Sequence, residues 1–399
     1  MVRNRTTKPK SMPNIRLETI RNVLYSRSVT RNSLIQQFRL RPASLYGVIQ
    51  QLKSERLLIE PNRTTVRTGR KPSFIALNPD YARYLGIEIR SDCLLGVMID
   101  AQGTRGDQRV IKWEGIPDVS KVQAHLLEMV HDFQSQHAGG GSQKIHYVGL
   151  ADAGIVDSAR GLSLKAVHIT GWELVEIRDW MTHQTGIPSH VMSANNARAF
   201  AEYVLIDGAK PESLLHLELD FGIGAGFIRA GELFCGFNGC ALEVGHLIIQ
   251  ENGPYCSCGN RGCLEALIGK AGLQKKLAEF QNQFGGDHLV QNEFSYKAFA
   301  QAIQSNEKVA HRVLVETVLY LGSALSSVIT LLNPKKIVLS GGLTCVGEYL
   351  LVLLKQQLAL RCLSQSLSEL EIAISTCDEM TTACGAALFV REKHLLNLP

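Results

Sequence analysis

The sequence predicts a chain in two parts: a small winged helix-turn-helix head, followed by a large α/β body made of two similar lobes. Three observations lead to this prediction. Positive charge is concentrated at the start of the chain, the apolar spacing becomes strand-like near residue 81, and the strand and helix pattern of the body occurs twice. We expect the head to span residues 1–76 and the body to span residues 77–399.

The distribution of charge separates the head from the body. The 399 residues include 42 Lys and Arg against 37 Asp and Glu, which gives a net charge of +5. Residues 1–76 contain 16 of the basic residues and only 3 of the acidic ones, so the head carries +13 and the body −8. A basic module on an acidic body is typical of a protein that binds a polyanion, and we expect double-stranded DNA as a partner.

Composition excludes several classes of protein. The hydrophobic fraction of 45% is that of a globular chain. No run of about 18 apolar residues is free of charge, so we expect no membrane insertion. The basic start is not followed by the apolar stretch of a secretory signal. We therefore expect a cytoplasmic protein, in which most of the 10 cysteines are buried thiols rather than disulfides.

Apolar spacing predicts three short helices in the head. They cover residues 14–24, residues 31–38 with Thr30 as the cap, and a segment that begins at Pro42. A tight connection between the second and third helices is typical of a helix-turn-helix, whose third helix enters the major groove. Near its start, Ala43, Ser44, Tyr46 and Gly47 would face base edges. Phosphate contacts are expected from Arg39, Arg41 and Lys53.

A two-stranded wing is predicted after the third helix. Apolar residues 57–61 and 73–77 flank a polar, basic tip over residues 62–67. The following Gly69-Arg70 pair lies in an extended segment that ends at Pro72, and such a pair can insert into a narrow, A·T-rich minor groove. The alternative is a basic linker to the body. The DNA contacts predicted here are Arg67, Arg70 and Lys71.

The body repeats one pattern of secondary structure. Each half opens with a strand hairpin, at residues 85–99 and 214–228, and continues with helices and buried strands. Two such α/β lobes fit an actin- or hexokinase-like (ribonuclease H-like) duplicated fold, in which ligands bind in the cleft between the lobes. We expect lobe I at about residues 81–200 with the C-terminal helix 381–399, and lobe II at about residues 201–380.

The strongest chemical signal is a histidine followed by three clustered cysteines. Three thiolates and one imidazole complete the tetrahedral shell of a structural zinc and leave no open position for a reactive water. Gly259 and Gly262 allow the tight turn that brings the sulfurs together. Three free thiols in a loop are the alternative. We expect one structural Zn²⁺ per chain, held by His246, Cys256, Cys258 and Cys263.

These residues resemble the double signature of the ROK family (repressors, open reading frames and sugar kinases). The resemblance rests on residues 239–246 and 256–265, with further matches at 337–342 and 385–388, and it extends from about residue 81 to residue 393. A winged-helix head is the arrangement of the Mlc/NagC and xylose-repressor branches. The resemblance therefore implies a transcriptional regulator, expected to be a repressor of carbohydrate metabolism genes, that forms a homodimer or a dimer of dimers.

The sequence departs from the kinases of the family at three places. Both segments that match the kinases' phosphate loops, residues 88–92 and 220–224, have lost small residues and gained charge or bulk. The segment that supplies the kinases' general base aligns with residues 193–196, where Ala194 replaces the aspartate. Loss of a general base costs on the order of 10²–10⁴ in rate. We therefore expect no catalytic residue and no sugar kinase activity.

The resemblance also implies a binding site for a sugar or sugar-phosphate effector. His168 and Asn195 stand at or beside positions where the family's residues differ, and His168 could meet a phosphate. Two glutamates match the family's sugar ligands, but they could instead brace the zinc loop. The pocket could also be vestigial, in which case the body would answer to a protein partner such as a sugar-permease component. The effector-binding candidates are Glu243, His246, Glu265, Asn195 and His168.

Overall fold

The computed structural model describes residues 12–26, 28–38, 42–61, 74–136, 144–284 and 294–397. Contacts divide the chain into two compact units. The first consists of residues 1–192 and 382–399, and the second of residues 193–381. Below, the head is the part of the first unit before residue 78, lobe I is the remainder of that unit, and lobe II is the second unit.

The described residues of the head form three helices and three short strands. They are α1 (Met12–Ser26), β1 (Val29–Thr30), α2 (Arg31–Phe38), α3 (Pro42–Ser54), β2 (Leu58–Ile59) and β3 (Phe74–Leu77). The Oγ1 of Thr30 accepts a hydrogen bond from the backbone N–H of Ser33 at 3.1 Å, so Thr30 caps α2 as the sequence predicts. The strands pair antiparallel in the order β1-β3-β2. Strand β1 was not predicted from the sequence, which indicated only a break between two helices at this position.

Lobe I is built on a five-stranded sheet with a small second sheet beside it. Its elements are β4 (Arg83–Ile89), β5 (Cys93–Asp100), β6 (Arg105–Lys112), α4 (Val119–Gln136), β7 (Ile145–Asp152), β8 (Ile155–Asp157), β9 (Leu162–Lys165), β10 (Glu173–Val175), α5 (Ile177–Thr185) and β11 (Ser189–Ser193). The large sheet has the order β11-β7-β4-β5-β6, and the small one has the order β10-β9-β8. Apolar side chains of α4 and α5 pack with those of β4, β5 and β7 in one core.

Lobe II is built on a second five-stranded sheet covered by helices. Its elements are α6 (Ala194–Leu205), β12 (Ser213–Leu219), β13 (Ile223–Arg229), β14 (Glu232–Leu233), α7 (Leu264–Ile268), α8 (Lys270–Phe284), α9 (Tyr296–Gln304), α10 (Lys308–Leu332), β15 (Lys336–Ser340), α11 (Glu348–Ala359), α12 (Ser364–Leu367) and β16 (Glu371–Ile374). The sheet has the order β14-β13-β12-β15-β16. Helix α13 (Thr381–Leu396) follows and returns the chain to the first unit.

The two large sheets have the same topology. In each, the first strand is central, pairs antiparallel with the second strand of its hairpin, and pairs parallel with the fourth strand. The third strand extends the sheet beyond the hairpin, and the fifth lies beyond the fourth. The duplicated two-lobe body that the sequence predicts is therefore confirmed.

One helix of the described residues, α10, is long and apolar enough to cross a membrane by length and composition alone. A core helix of a globular protein meets the same criteria, and 56% of the most apolar window of α10 is buried in the structure. Twelve of its residues, from Val309 to Ile329, are buried, most of them in the core of lobe II. The environment of α10 is that of a core helix.

Candidate functional site

The four predicted metal ligands come together in lobe II. Their ligand atoms all lie within 4.8 Å of one another. The Sγ of Cys256 is 3.6 Å from Nδ1 of His246, and the Sγ atoms of Cys258 and Cys263 are 3.7 Å apart. Zinc–sulfur bonds of about 2.3 Å in tetrahedral geometry place two sulfurs about 3.8 Å apart. The donor set and its spacing therefore fit a four-coordinate zinc.

Short-range hydrogen bonds shape the loop that carries these ligands. The backbone N–H of Cys256 donates to the carbonyl of Asn260 at 2.8 Å, and that of Gly262 donates to the carbonyl of Pro254 at 2.8 Å. Gly262 has a φ of 70°, and a Cβ there would collide with the carbonyl of Gln250. Only glycine fits this turn, which directs the fully buried Cys263 inward.

Glu265 connects the zinc loop to the hairpin of β12 and β13. Its Oε2 accepts the backbone N–H of Ile223 at 3.1 Å, and its Oε1 accepts the hydroxyl of Ser257 at 3.4 Å. A Cβ at Gly222 would collide with this carboxylate. Both oxygens of Glu265 are thus engaged by the protein itself, an arrangement that favours the bracing role over direct binding of an effector.

Two further candidates border the same hairpin. The side-chain amide of Asn195 lies against Gly224, where any Cβ would collide with it. Partial loss of solvent raises the pKa of Glu243, the nearby His246 lowers it, and the Glu265 carboxylate raises it further. Glu243 and His246 share one short turn, in which the backbone N–H of His246 donates to the carbonyl of Glu243 at 3.0 Å. The structure therefore brings Glu243, His246 and Glu265 together in lobe II, with Asn195 of α6 packed against Gly224 on the second strand of the hairpin.

His168 belongs to lobe I, where it faces a buried carboxylate that the sequence did not reveal. Asp152 is fully buried and accepts hydrogen bonds from Gly154 N at 2.7 Å and Trp172 Nε1 at 3.2 Å. Burial lowers the pKa of His168 and the Asp152 charge raises it. Its buried Nε2 has no hydrogen-bond partner among the described residues. A polar ligand group could satisfy this nitrogen. The only sequence signal for Asp152 was its place at the end of a buried strand.

The segments that match the kinases' phosphate loops are occupied by the protein's own groups. In lobe I, the guanidinium of Arg90 pairs with the Glu88 carboxylate at 2.9 Å. In lobe II, the carboxylate of Asp220 accepts the backbone N–H of Gly342 at 3.1 Å. The ring of Phe221 next to it is 71% exposed. The carboxylate of the lobe II segment is thus bonded to a backbone amide of the protein itself.

The third helix of the head exposes the face that the sequence assigned to DNA. Tyr46 is 53% exposed and Ser44 is half-buried, whereas the opposite face of α3 is buried in the core of the head. The guanidinium of Arg31 lies 5.6 Å from the Tyr46 ring centre. Lys53 Nζ pairs with Glu60 at 3.1 Å. The other DNA-contact candidates lie outside the described residues: Arg39, Arg41, Arg67, Arg70 and Lys71.

Comparison with known proteins identifies the body. Residues 84–393 match the ROK family. The chain belongs to the ROK family. This ROK protein is 23% identical over 380 residues to the xylose repressor of Bacillus subtilis, with 95% of each chain covered. Its structure resembles that of a ROK family transcriptional regulator, a homolog of the E. coli MLC protein, with a TM-score of 0.80, 23% identity, and coverage of 96% of this chain and 97% of that one.

Kinases of the family match a shorter part of this ROK protein. It is 26% identical over 322 residues to the glucokinase of Halalkalibacterium halodurans, an alignment that covers 96% of the glucokinase but 78% of this chain. The alignment with the xylose repressor covers 95% of this chain. The two kinds of relative therefore differ in how much of this chain they account for.

Proposed function

We propose that this ROK protein is a cytoplasmic, DNA-binding transcriptional regulator that represses carbohydrate metabolism genes and responds to a sugar or sugar phosphate. The observation that carries the proposal is the alignment with a repressor along nearly the whole chain, head included. The winged-helix assignment of the head is supported by three helices packed on a small antiparallel sheet. The basic charge of the head favours a nucleic acid as its partner.

In this proposal α3 is the recognition helix. Its buried face holds it on α1, while Ser44 and Tyr46 project from the other side near its start, where helices of this kind meet base edges. One head offers one such helix. A homodimer or a dimer of dimers would place two of them on half-sites one or two helical turns apart.

Sugar phosphorylation is not part of the proposal. Ala194 at the start of α6 has no group that can accept a proton, and the carboxylate of Asp220 occupies the amide of Gly342. The Nζ of Lys270 lies 4.4 Å from the ring centre of Phe221. This bulky pair stands at the turn between β12 and β13. We expect no ATP-dependent turnover of glucose, N-acetylglucosamine or N-acetylmannosamine. Turnover above background would contradict this part of the proposal.

The zinc and the effector have separate roles in the proposal. The metal would be held by His246, Cys256, Cys258 and Cys263, and it would fix the loop from which Glu265 reaches the hairpin. In lobe II the effector would meet Glu243 and Asn195. His168 of lobe I, with its unpartnered Nε2, is a separate candidate contact. A thermal-shift screen of sugars and sugar phosphates tests this assignment, because a ligand of the folded state raises the melting temperature.

Selection of binding sites from random double-stranded DNA tests the head. Full-length protein should select a two-fold-related sequence, and Tyr46→Ala should change the bases selected. Tyr349→Ala, which removes a similarly exposed ring from lobe II, should not. Lys53→Ala should weaken all sequences alike and lower the salt slope by about one counterion. Glu60→Gln removes the ion-pair partner of Lys53 but keeps the cation, so it should not lower the slope. Unchanged binding by both Tyr46→Ala and Lys53→Ala would show that the DNA surface lies elsewhere.

A further inference from the structure

Helix α13 is shared between two cores. In its first half, the backbone at Ala383 and Ala386 lies so close to β4 and β7 that a Cβ at Gly86 or Gly149 would collide with it. In its last turn, Leu395 is fully buried in the core of the head, together with side chains of α1, α2 and α3. A single rigid helix therefore joins the sheet of lobe I to the DNA-binding head.

A partly buried hydrogen bond connects the same two elements. The hydroxyl of Tyr25, in the last turns of α1, donates to Oε1 of Glu392 at 2.7 Å. The next residue back, Arg391, is 1% exposed, and its Nε and Nη2 have no hydrogen-bond partner within the described ranges. Glu392 is half-buried, so a movement of α1 away from α13 would leave its Oε1 without the Tyr25 hydroxyl and with little water to replace it. The contact is therefore suited to defining the geometry of the junction.

The chain that links the head to lobe I packs on the same helix. Nδ1 of His394 forms a hydrogen bond with the hydroxyl of Tyr84, at 2.9 Å. Its ring stacks on Tyr81, in the link between β3 and β4, with centroids 6.3 Å apart. The rings of His146 and Tyr147 complete the cluster, at 5.9 and 4.9 Å. Both the first helix of the head and the link behind it are thus held by the last turns of α13.

The segment that enters α13 is tied to the start of α6. Arg198 donates from Nη1 to the carbonyl of Asp378 at 3.1 Å and from Nη2 to the hydroxyl of Ser375 at 3.2 Å. Its Nε donates to Glu202 at 3.2 Å. Helix α6 also carries the effector candidate Asn195, one turn before Arg198. A displacement of α6 would therefore reach residues 375–378, and these lead directly into α13.

We infer that α13 sets the orientation of the DNA-binding head on lobe I, with Tyr25 and Glu392 as the positioning residues and α6 as the element through which an effector acts on it. The inference rests on the proposed function, since it concerns how a DNA-binding head is presented. Because the recognition helix is rigidly packed in the head, the orientation of the head decides which half-site spacing a dimer accepts.

Site selection from random DNA tests the inference on full-length protein. The variants are Tyr25→Phe, which keeps the packing of the ring, Glu392→Gln, and the two combined. Glu128→Gln, which neutralises an exposed carboxylate on α4 of lobe I, is the matched control. Zinc content and melting temperature of each variant establish that it is folded.

Each positioning variant should keep the half-site sequence, accept a broader range of spacings, and bind the wild-type operator about tenfold more weakly, the loss typical of a hydrogen bond to a charged group. The double variant should lose no more than either single one. Glu128→Gln should select the wild-type spacing with wild-type affinity.

Two results would overturn the inference while leaving the proposed function intact. One is selection of a single wild-type spacing, with affinity within about twofold of wild type, by both Tyr25→Phe and Glu392→Gln. The other is independent, multiplicative losses in the double variant, which would mean that the two side chains do not act as one contact. If the wild-type protein selects no DNA sequence at all, the proposed function itself fails.

Discussion

Lobe I and lobe II share one sheet topology but differ in what their connections carry. Lobe I extends into the small sheet of β8, β9 and β10, and its unit includes the head. Lobe II inserts the zinc loop between β14 and α7. Sheets of the same design thus support the three-helix head in one unit and the four predicted metal ligands in the other. The sheets are scaffolds, and the specific chemistry resides in the segments attached to them.

Different interactions stabilise the hairpin turns of the two lobes. Lobe I uses an ion pair between Arg90 and Glu88, and Trp113 Nε1 donates to the carbonyl of Ser91 at 2.8 Å. Lobe II uses a single carboxylate, that of Asp220, on a backbone amide. The two turns are thus held by different interactions, an ion pair in lobe I and a carboxylate on a backbone amide in lobe II.

Removal of a metal ligand should produce the largest difference in stability between the two lobes. In Cys263→Ser the buried sulfur is lost, so zinc should leave and lobe II should lose several kcal/mol of stability, since a structural zinc in small domains contributes about 10 kcal/mol or more. Lobe I lacks this dependence. Elemental analysis should show much less than one zinc per chain, and hydrogen exchange should accelerate in α7 and the zinc loop but not in β4 or β5.

A cysteine outside the cluster provides the control for that experiment. Cys345 is exposed and lies after β15 of lobe II, so Cys345→Ser should keep one zinc per chain and unchanged exchange. A Cys263→Ser protein that retained a full equivalent of zinc would show that the metal is held by other residues. Equal acceleration of exchange in both lobes would show that their stabilities are not separable.

The features that sequence could predict are those with a short-range signal. The predicted zinc ligands lie within one short stretch, residues 246–263, and the three helices of the head follow from apolar spacing. The sequence did not reveal the small sheet of lobe I, because strands of three or four residues are too short to show a period in their apolar residues. The burial of Leu395 in the head also escaped prediction, since its partners lie more than 300 residues away in the chain.

The role of Glu265 also could not be decided from the sequence. Its place after the last cysteine predicted either effector binding or a brace for the zinc loop. The distinction depends on Ile223, whose amide it accepts from 42 residues away along the chain. A contact of that range leaves no trace in local spacing. The two roles are therefore distinguished only by the structure, which favours the bracing role.

Loss of a buried ion pair should cost lobe II more than lobe I. Arg198 and Glu202 are 10% and 7% exposed, and Glu202→Gln leaves the guanidinium uncompensated, so we expect a loss of about 3–5 kcal/mol. In lobe I, Arg90 is 32% exposed and can regain water, so Glu88→Gln should cost about 1 kcal/mol. Denaturant dependence of hydrogen exchange in each lobe measures both losses. Similar costs for the two variants would contradict the difference in burial.

The smallest effect is the contribution of one buried histidine, His216, to the acid sensitivity of lobe II. Burial, with a smaller effect of Arg198, lowers the pKa of His216 to about 3, while its Nε2 lies 2.8 Å from the hydroxyl of Ser340. In the unfolded chain the same group titrates near pH 6.5. Between these values the unfolded state binds the additional proton. Stability is therefore complete above about pH 6.5 and falls with pH, by about 2–3 kcal/mol at pH 4.5.

His216→Gln should remove this loss from lobe II, because glutamine keeps an amide near Ser340 but does not titrate. Lobe I should stay acid-sensitive in the variant, since burial lowers the pKa of both His190 and His394 to about 4. The measurement is hydrogen exchange of β12 and β15 at pH 7 and pH 4.5, corrected for intrinsic rates and compared with β4 and β7. His183→Gln, which removes an exposed histidine of α5, should retain the wild-type pH dependence in both lobes. An unchanged acid loss in β12 and β15 of His216→Gln would assign the sensitivity of lobe II to other groups.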